Sequence, residues 1–411
     1  MNMSTSQLIK RTSAGLMTAA AVLAMATASP AVLAEVKHDA VEITKTLNAA
    51  EGVTLPSATF SFYFTGVGTA SVPLTDYPDL SPVSVSFTGA DTETDYQTGA
   101  VSKITEDIFK DVDFTRTGEY VYKVKEVTDK TTDSQLNSGF TPNDPSDSST
   151  GTYTDKMIWD ETTYEMHVIV KDDGDGKYIS SVYFTKEGET EKVDSLSFSN
   201  TYIKEAGKNP GANNELSSFD ISKVVTGEFA DKSKDFSFSL TFTTPSNESV
   251  REAIAGTYTA QVKTKDAAGN TIDVADKVYQ LTLDKDTKTV TLDFTLKAGE
   301  FLDFASLPSG LRYTLVEDGT INYLPSALVV ENSETNSANE YKGTLSQTLE
   351  LTNNKGGFLI GQHDNSVAVT NAYEDNNVTA TGFLVKNLPF AVMIVLGATA
   401  FIVFAKKKRN R

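Results

Sequence analysis

From residue 40 to residue 373, apolar and polar residues alternate with a period of two. Val, Thr, Tyr and Phe supply the apolar positions, and clusters of Gly, Asn, Asp and Ser interrupt the runs. Side chains two apart on a strand point to one face, so this pattern predicts many short, half-buried strands. Long stretches of helical period are hard to find. The expected fold class is all-β, as two tandem Ig-like β-sandwiches.

The pattern also repeats. Ile43-Thr44-Lys45 precedes Thr59-Phe60-Ser61-Phe62, and Ile221-Ser222-Lys223 precedes Asp235-Phe236-Ser237-Phe238. Tyr120-Val121-Tyr122-Lys123-Val124-Lys125-Glu126 is echoed by Leu311-Arg312-Tyr313-Thr314-Leu315-Val316-Glu317. Leu196-Ser197-Phe198-Ser199-Asn200-Thr201-Tyr202 is echoed by Val367-Ala368-Val369-Thr370-Asn371-Ala372-Tyr373. The expected division is residues 35–203, a polar linker 204–215, and residues 216–377.

Both ends break the pattern. Residues 1–34 open with Lys10 and Arg11, continue through an alanine-rich apolar stretch from Leu16 to Ala28, and end on Val32-Leu33-Ala34. That is the layout of a secretory signal peptide; the apolar stretch is short for a membrane anchor. At the other end, Leu388 to Ala405 is an uncharged apolar run followed by Lys406, Lys407, Lys408, Arg409 and Arg411. A span there, with its positive flank, keeps the tail in the cytoplasm and the body outside. Val378-Thr379-Ala380-Thr381-Gly382 sits just upstream. A motif ending in Thr-Gly, an apolar span and a basic tail together resemble a Gram-positive cell-wall sorting signal. The resemblance implies sortase cleavage between Thr381 and Gly382 and passage of the Thr381 carbonyl to an amine. Val378 and Thr379 stand where the usual signal has Leu and Pro, which leaves open which sortase reads it. A plain single-span anchor is the alternative.

Composition removes several functions. The chain has no cysteine and only three histidines, His38, His167 and His363. Disulfides, thiolate metal sites and cysteine nucleophiles are therefore excluded. Residues 35–381 hold 28 basic against 55 acidic residues, net −27, because both ends are basic. Such a body is soluble and a poor partner for nucleic acid. No phosphate loop, nucleotide fingerprint, catalytic triad or zinc motif is found, and no cofactor or metal is expected. Asp172-Asp173-Gly174-Asp175-Gly176 lacks the spacing of a calcium loop and reads as a hairpin turn. Trp159 and His167 read as ordinary strand positions. Thr128 to Lys156 reads as a long exposed loop.

The candidate chemistry lies in the strand parity. Val41, Ile43, Lys45 and Leu47 share a face, as do Phe219, Ile221, Lys223 and Val225. Tyr120, Tyr122, Val124 and Glu126 share one, matched by Leu311, Tyr313, Leu315 and Glu317. Leu196, Phe198, Asn200 and Tyr202 match Val367, Val369, Asn371 and Tyr373. In both repeats a Lys, a Glu and an Asn thus fall on the apolar side, in the same order. A buried lysine is costly unless paired or neutral. A lysine snorkelling at a strand end, or a buried Lys–Glu ion pair, would satisfy the pattern in one repeat. The chemistry that uses all three is an amide bond between Lys and Asn. Burial lowers the lysine pKa and frees its amine to attack. It also raises the glutamate pKa, so that a protonated Glu polarises the Asn carboxamide and shuttles protons while ammonia leaves.

Together, the Lys/Glu/Asn repeat, the signal peptide and the sorting signal resemble the sortase-assembled major (backbone) pilins of Gram-positive bacteria, of the streptococcal two-domain type. Supporting patches are Lys232-Ser233-Lys234-Asp235-Phe236-Ser237-Phe238, Leu307-Pro308-Ser309-Gly310-Leu311-Arg312-Tyr313 and Thr185-Lys186-Glu187-Gly188. The resemblance implies two Ig-like (collagen-adhesin B-type) sandwiches. It implies cross-links Lys45–Asn200, promoted by Glu126, and Lys223–Asn371, promoted by Glu317, each tying a first strand to a last. By position it makes Lys192 the acceptor for polymerisation, with Lys186 as runner-up. It implies a wall-anchored surface pilus of a Gram-positive bacterium, whose partners are other copies of the chain, pilus and housekeeping sortases, and minor pilins. The membrane is involved only transiently, through the C-terminal segment. The alternatives are a wall-anchored adhesin that never polymerises, and a surface enzyme, for which no residue constellation speaks.

Overall fold

A computed structural model describes residues 40–91, 99–128, 155–207, 217–335 and 337–374. The leader, the sorting motif with Thr381 and Gly382, the C-terminal apolar run, and most of the 128–156 loop and the linker lie outside the described residues. Among the described residues, no helix is long and apolar enough to cross a membrane.

The first half builds β1 (Ile43–Ala49), β2 (Ala58–Gly66), β3 (Val83–Phe87), β4 (Ala100–Ile104), β5 (Gly118–Glu126), β6 (Asp155–Ile158), β7 (Tyr164–Asp172), β8 (Lys177–Lys186), β9 (Lys192–Val193) and β10 (Leu196–Lys204). One sheet runs β4-β1-β10-β6 and the other β3-β2-β5-β7-β8-β9. The second half builds β11 (Phe219–Thr226), β12 (Phe236–Thr243), the single-turn-and-a-half helix α1 (Glu248–Ala253), β13 (Gly256–Lys265), β14 (Thr271–Leu283), β15 (Thr289–Leu296), β16 (Phe301–Phe304), β17 (Leu311–Glu317), β18 (Tyr323–Ser333), β19 (Ala338–Lys342), β20 (Leu349–Leu351), β21 (Phe358–Ile360) and β22 (Asp364–Tyr373). Its sheets run β14-β13-β16-β11-β22-β18-β19 and β15-β12-β17-β20, with β21 also on β17.

The alternation read from the sequence becomes burial. In β1, Ile43, Lys45 and Leu47 are buried while Thr44 and Thr46 are partly exposed. In β10, Leu196, Phe198 and Asn200 are buried and Ser197 and Ser199 exposed. Inward-facing aromatics fill the space between the sheets: Phe62 lies 4.9 Å from Phe198, which in turn takes the edge of Tyr164 at 5.1 Å. Such contacts add to the burial of ring area itself.

The same pairing recurs in both halves. β1 runs parallel to β10 with Lys45 opposite Phe198 and Leu47 opposite Asn200. β11 runs parallel to β22 with Lys223 opposite Val369 and Val225 opposite Asn371. In each, the lysine faces the residue two before the asparagine. On the facing sheets, Glu126 is registered with Phe62 and Glu317 with Phe238.

The halves meet through polar contacts. Arg312 Nη2 lies 2.6 Å from Glu51 Oε2, its Nε donates to the same oxygen at 3.1 Å, and its Nη1 donates to the Gly357 carbonyl at 2.6 Å. Gln362 accepts from Thr54 N and donates to Thr54 Oγ1, both at 2.8 Å. Asn247, the N-cap of α1, donates to Asn48 Oδ1 at 3.1 Å. Gly310 has φ +98°, and a Cβ there would fall 2.1 Å from that of Ala50, so only glycine lets the chains approach this closely.

The Arg312 guanidinium side chain is 5 % exposed and that of Glu51 15 %. Removing one member of a buried pair strands the other. Glu51→Ala should therefore lower stability by about 3 kcal/mol, and Glu51→Ala with Arg312→Met should recover part of that loss. Calorimetric unfolding of the single and double variants checks this; additive losses would show that the pair is not coupled.

Candidate functional site

Both lysines sit where their strands bury them completely: Lys45 is 0 % and Lys223 1 % exposed. Lys45 Nζ donates to Glu126 Oε2 at 2.7 Å, and Asn200 Nδ2 donates to Glu126 Oε1 at 2.7 Å. Lys223 Nζ donates to Glu317 Oε1 at 2.6 Å, and Asn371 Nδ2 donates to that same oxygen at 2.8 Å. The structure thus gathers each predicted trio around one carboxylate. Aromatic faces close the sites: Lys45 Nζ lies 4.9 Å from the Phe60 ring centroid, and Lys223 Nζ 4.4 Å from that of Phe236.

Burial drives the protonation chemistry. Desolvation brings both lysines down to about 8, even though each neighbouring glutamate pulls the other way. Desolvation likewise raises Glu126 and Glu317, against the pull of the lysine and the asparagine amide. Both partners move toward their neutral forms, an amine beside a carboxylic acid, which is the state a nucleophilic attack needs.

The two sites are not identical. In the first, Asn200 Oδ1 accepts the backbone N–H of Asp160 at 2.8 Å. The Asp160 carboxylate in turn accepts the N–H groups of Ser199 at 2.8 Å and Thr162 at 2.9 Å, fixing this stretch against β10. In the second, Asn371 Oδ1 and Glu317 Oε2 are buried without a hydrogen-bond partner. A protonated Glu317, with the Asn371 amide turned over, would donate to that carbonyl. Asp160 escaped sequence reading because its contribution is a backbone N–H, which carries no residue signature.

Lys192 opens β9, exposed, and its Nζ lies 3.9 Å from the ring centroid of Tyr183. His167 stacks on Tyr183 from the strand on the other side, at 4.4 Å and 6°. Glu119 Oε1 lies 2.9 Å from both His167 Nδ1 and the Tyr183 hydroxyl, which donates to it. The hydrogen bond from His167 keeps Glu119 below the usual carboxylate range. His167 is therefore more than the ordinary strand position expected of it. Trp159 follows β6 and meets Phe60 edge-on at 5.9 Å, lining the first site. Lys186 ends β8, exposed. Asp172 to Gly176 forms the β7–β8 hairpin turn, with Asp172 and Asp173 accepting backbone N–H groups of the turn itself.

A lysine released from its proton on folding has a signature. Its pKa is near 8 when folded and near 10.5 when unfolded. Between those values the unfolded chain holds the proton that the folded chain has lost, so stability rises with pH. With Asn200→Ala and Asn371→Ala keeping the lysines free, the thermal midpoint should climb from pH 8 to pH 10, relative to the same chain carrying Lys45→Met and Lys223→Met. A flat difference would show that neither lysine is desolvated.

Residues 41–203 match the Spy0128-like isopeptide containing domain family (FctA), and residues 217–355 match a domain of unknown function, DUF7601. No curated protein sequence matches the chain. Among solved structures, the major pilin of Streptococcus pyogenes is 19% identical, with 82% of this chain and 100% of that one covered and a TM-score of 0.32. The T3.2 major pilin of the same species is 16% identical over 82% and 99%, with a TM-score of 0.31. Its T-13 counterpart is 19% identical over 82% and 98%, with a TM-score of 0.30.

Proposed function

We propose that this chain, whose residues 41–203 match the Spy0128-like isopeptide containing domain family, is the shaft subunit of a covalently polymerised surface pilus. The observation that carries the reading is the pair of buried Lys–Glu–Asn sets, built on the same strand register in both halves. In each set the neutral amine attacks the asparagine carboxamide, the glutamic acid moves the protons, and ammonia leaves. Strand pairing holds the reactants together, so the step needs no separate enzyme and runs once per site.

In this reading, residues 1–34 are removed on export and residues 35–203 and 216–377 form the two structural units. Sortase cuts at Thr381-Gly382 and joins the Thr381 carbonyl to a lysine of the next copy, and the finished fibre is carried on the cell wall of a Gram-positive bacterium. Lys192 is the acceptor. Its amine is held on the face of Tyr183, whereas Lys186 lies free at a strand end. Lys192 also lies near Leu196 and its strand partner Ile43, at the end of the first sandwich away from Glu51 and Thr54, which touch the second. The chain leaves the second sandwich beyond Tyr373, the end of β22 opposite to the one that follows Gln362, which touches the first half. A donor and an acceptor at opposite ends suit head-to-tail joining.

The intact mass of the exported chain should be lower by two ammonia molecules, with Glu126→Ala and Glu317→Ala each restoring one. A full mass sinks the cross-linking chemistry whatever the fold. In the native host, wall extracts should show a high-mass ladder that survives boiling in detergent and is lost with Lys192→Ala. A ladder lost only with Lys186→Ala moves the acceptor, and a chain that never forms one is a monomeric wall-anchored adhesin.

A further inference from the structure

The first site carries an acceptor-side device that the second lacks. Asp160 N donates to Asn200 Oδ1 at 2.8 Å, and an amide NH2 group could not accept that hydrogen bond. The orientation of the Asn200 carboxamide is thereby fixed: its oxygen faces Asp160 and its nitrogen faces Glu126 Oε1 at 2.7 Å. Lys45 Nζ approaches from the other oxygen of the same carboxylate, at 2.7 Å. The Asp160 carboxylate, accepting from Ser199 N and Thr162 N, braces its own N–H in this position. In the second site, Asn371 Oδ1 is buried without a donor.

We propose that the backbone N–H of Asp160 is the oxyanion donor for Lys45–Asn200 bond formation, and that its absence from the second site makes Lys223–Asn371 the slower bond to close. This rests on the Lys–Asn cross-linking reading above. The atoms balance within the chain. The neutral Lys45 amine attacks Asn200 Cγ, forming the Nζ–Cγ bond, and the carbonyl π pair moves to Oδ1. Asp160 N–H meets the charge that develops there, without having to reorient. Glu126 takes one proton from Nζ at Oε2 and returns one to Nδ2 at Oε1. The Cγ–Nδ2 bond then breaks, ammonia leaves, and Glu126 ends as it began. With the oxyanion served by the backbone, Glu126 is free to work on the leaving nitrogen. In the second site, Glu317 must both polarise the carbonyl and move the protons. Its two ligands crowd onto one oxygen while the other is left bare.

The test is a refolding time course. The full chain is recovered from inclusion bodies in urea, its intact mass confirming that neither bond has closed, then diluted into buffer, and each cross-link is followed by peptide mass. In the unaltered chain, Lys45–Asn200 should close at least about tenfold faster than Lys223–Asn371. Asp160→Pro, which removes the N–H, should slow the first bond by about a hundredfold and leave the second unchanged. Asp160→Asn, which keeps the N–H and an acceptor oxygen, should stay within about threefold of the unaltered rate. Equal slowing by Pro and Asn, or no slowing by Pro, overturns the assignment. If Asp160→Pro does not refold, the unaltered chain still decides: equal rates, or a faster second bond, overturn it. Loss of no ammonia at either site is a different failure, that of the cross-linking reading itself.

Discussion

The arrangement of both halves follows from one constraint: a lysine ammonium has been placed where no water reaches it. Lys45 and Lys223 are among the largest fully buried side chains. An isolated charge there would cost several kcal/mol even after relaxation. The carboxylate at hydrogen-bonding distance offsets part of that cost, and Phe60 and Phe236 offer their ring faces to the remainder. What is left over appears as displaced protonation. The lysine falls and the glutamate rises until the neutral pair comes within reach. A stable ion pair would need further donors and acceptors around it. These sites instead supply an asparagine amide, which can be consumed.

Much of this was legible in the sequence because strand parity is a property of spacing alone. Lys45, Glu126 and Asn200 fall on apolar faces whatever the sheets do next, and the same three types recur in order at Lys223, Glu317 and Asn371. Two levels were not legible. Register is one: that each lysine faces the residue two before its asparagine is decided by parallel pairing between strands about 150 residues apart, as Lys45 and Phe198 are. Backbone chemistry is the other. Asp160 acts through its N–H, and the stretch that carries it is set by a carboxylate reaching back to Ser199. The Arg312–Glu51 contact, with a sequence separation of 261, has no local pattern at all. His167 was passed over for the same reason, since Glu119 and Tyr183 reach it only across neighbouring strands.

The asymmetry between the two sites also bears on folding order. β1 and β10 enclose nearly all of the first half between them, and β11 and β22 nearly all of the second. Pairing of such distant strands is entropically expensive and late. The proposed Lys45–Asn200 bond, closing as soon as β1 meets β10, would convert that pairing from an equilibrium into a permanent feature. The first half can then serve as a finished surface for Glu51, Thr54 and Asn48 to receive Arg312, Gln362 and Asn247.

Tension sorts the two bonds differently from time. With Lys192 as the point of attachment, a pull enters just ahead of β10 and runs along that strand into the linker, so most of the first half hangs beside the line of force. There a Lys45–Asn200 bond, formed as proposed, would keep β10 seated on β1 without carrying the full load. In the second half the pull enters at Phe219, follows β11 to Lys223, crosses to Asn371 and leaves past Tyr373. Everything between Lys223 and Asn371 is bypassed, including the sheet β15-β12-β17-β20 and helix α1. The bond proposed to close more slowly is thus the one that would lie in series with the load. What stays noncovalent is how the segment between the halves is seated, with Ala206 N donating to the Leu307 carbonyl at 2.7 Å, Gly207 N to that of Gly361 at 3.0 Å, and Ser309 N to that of Lys204 at 2.9 Å.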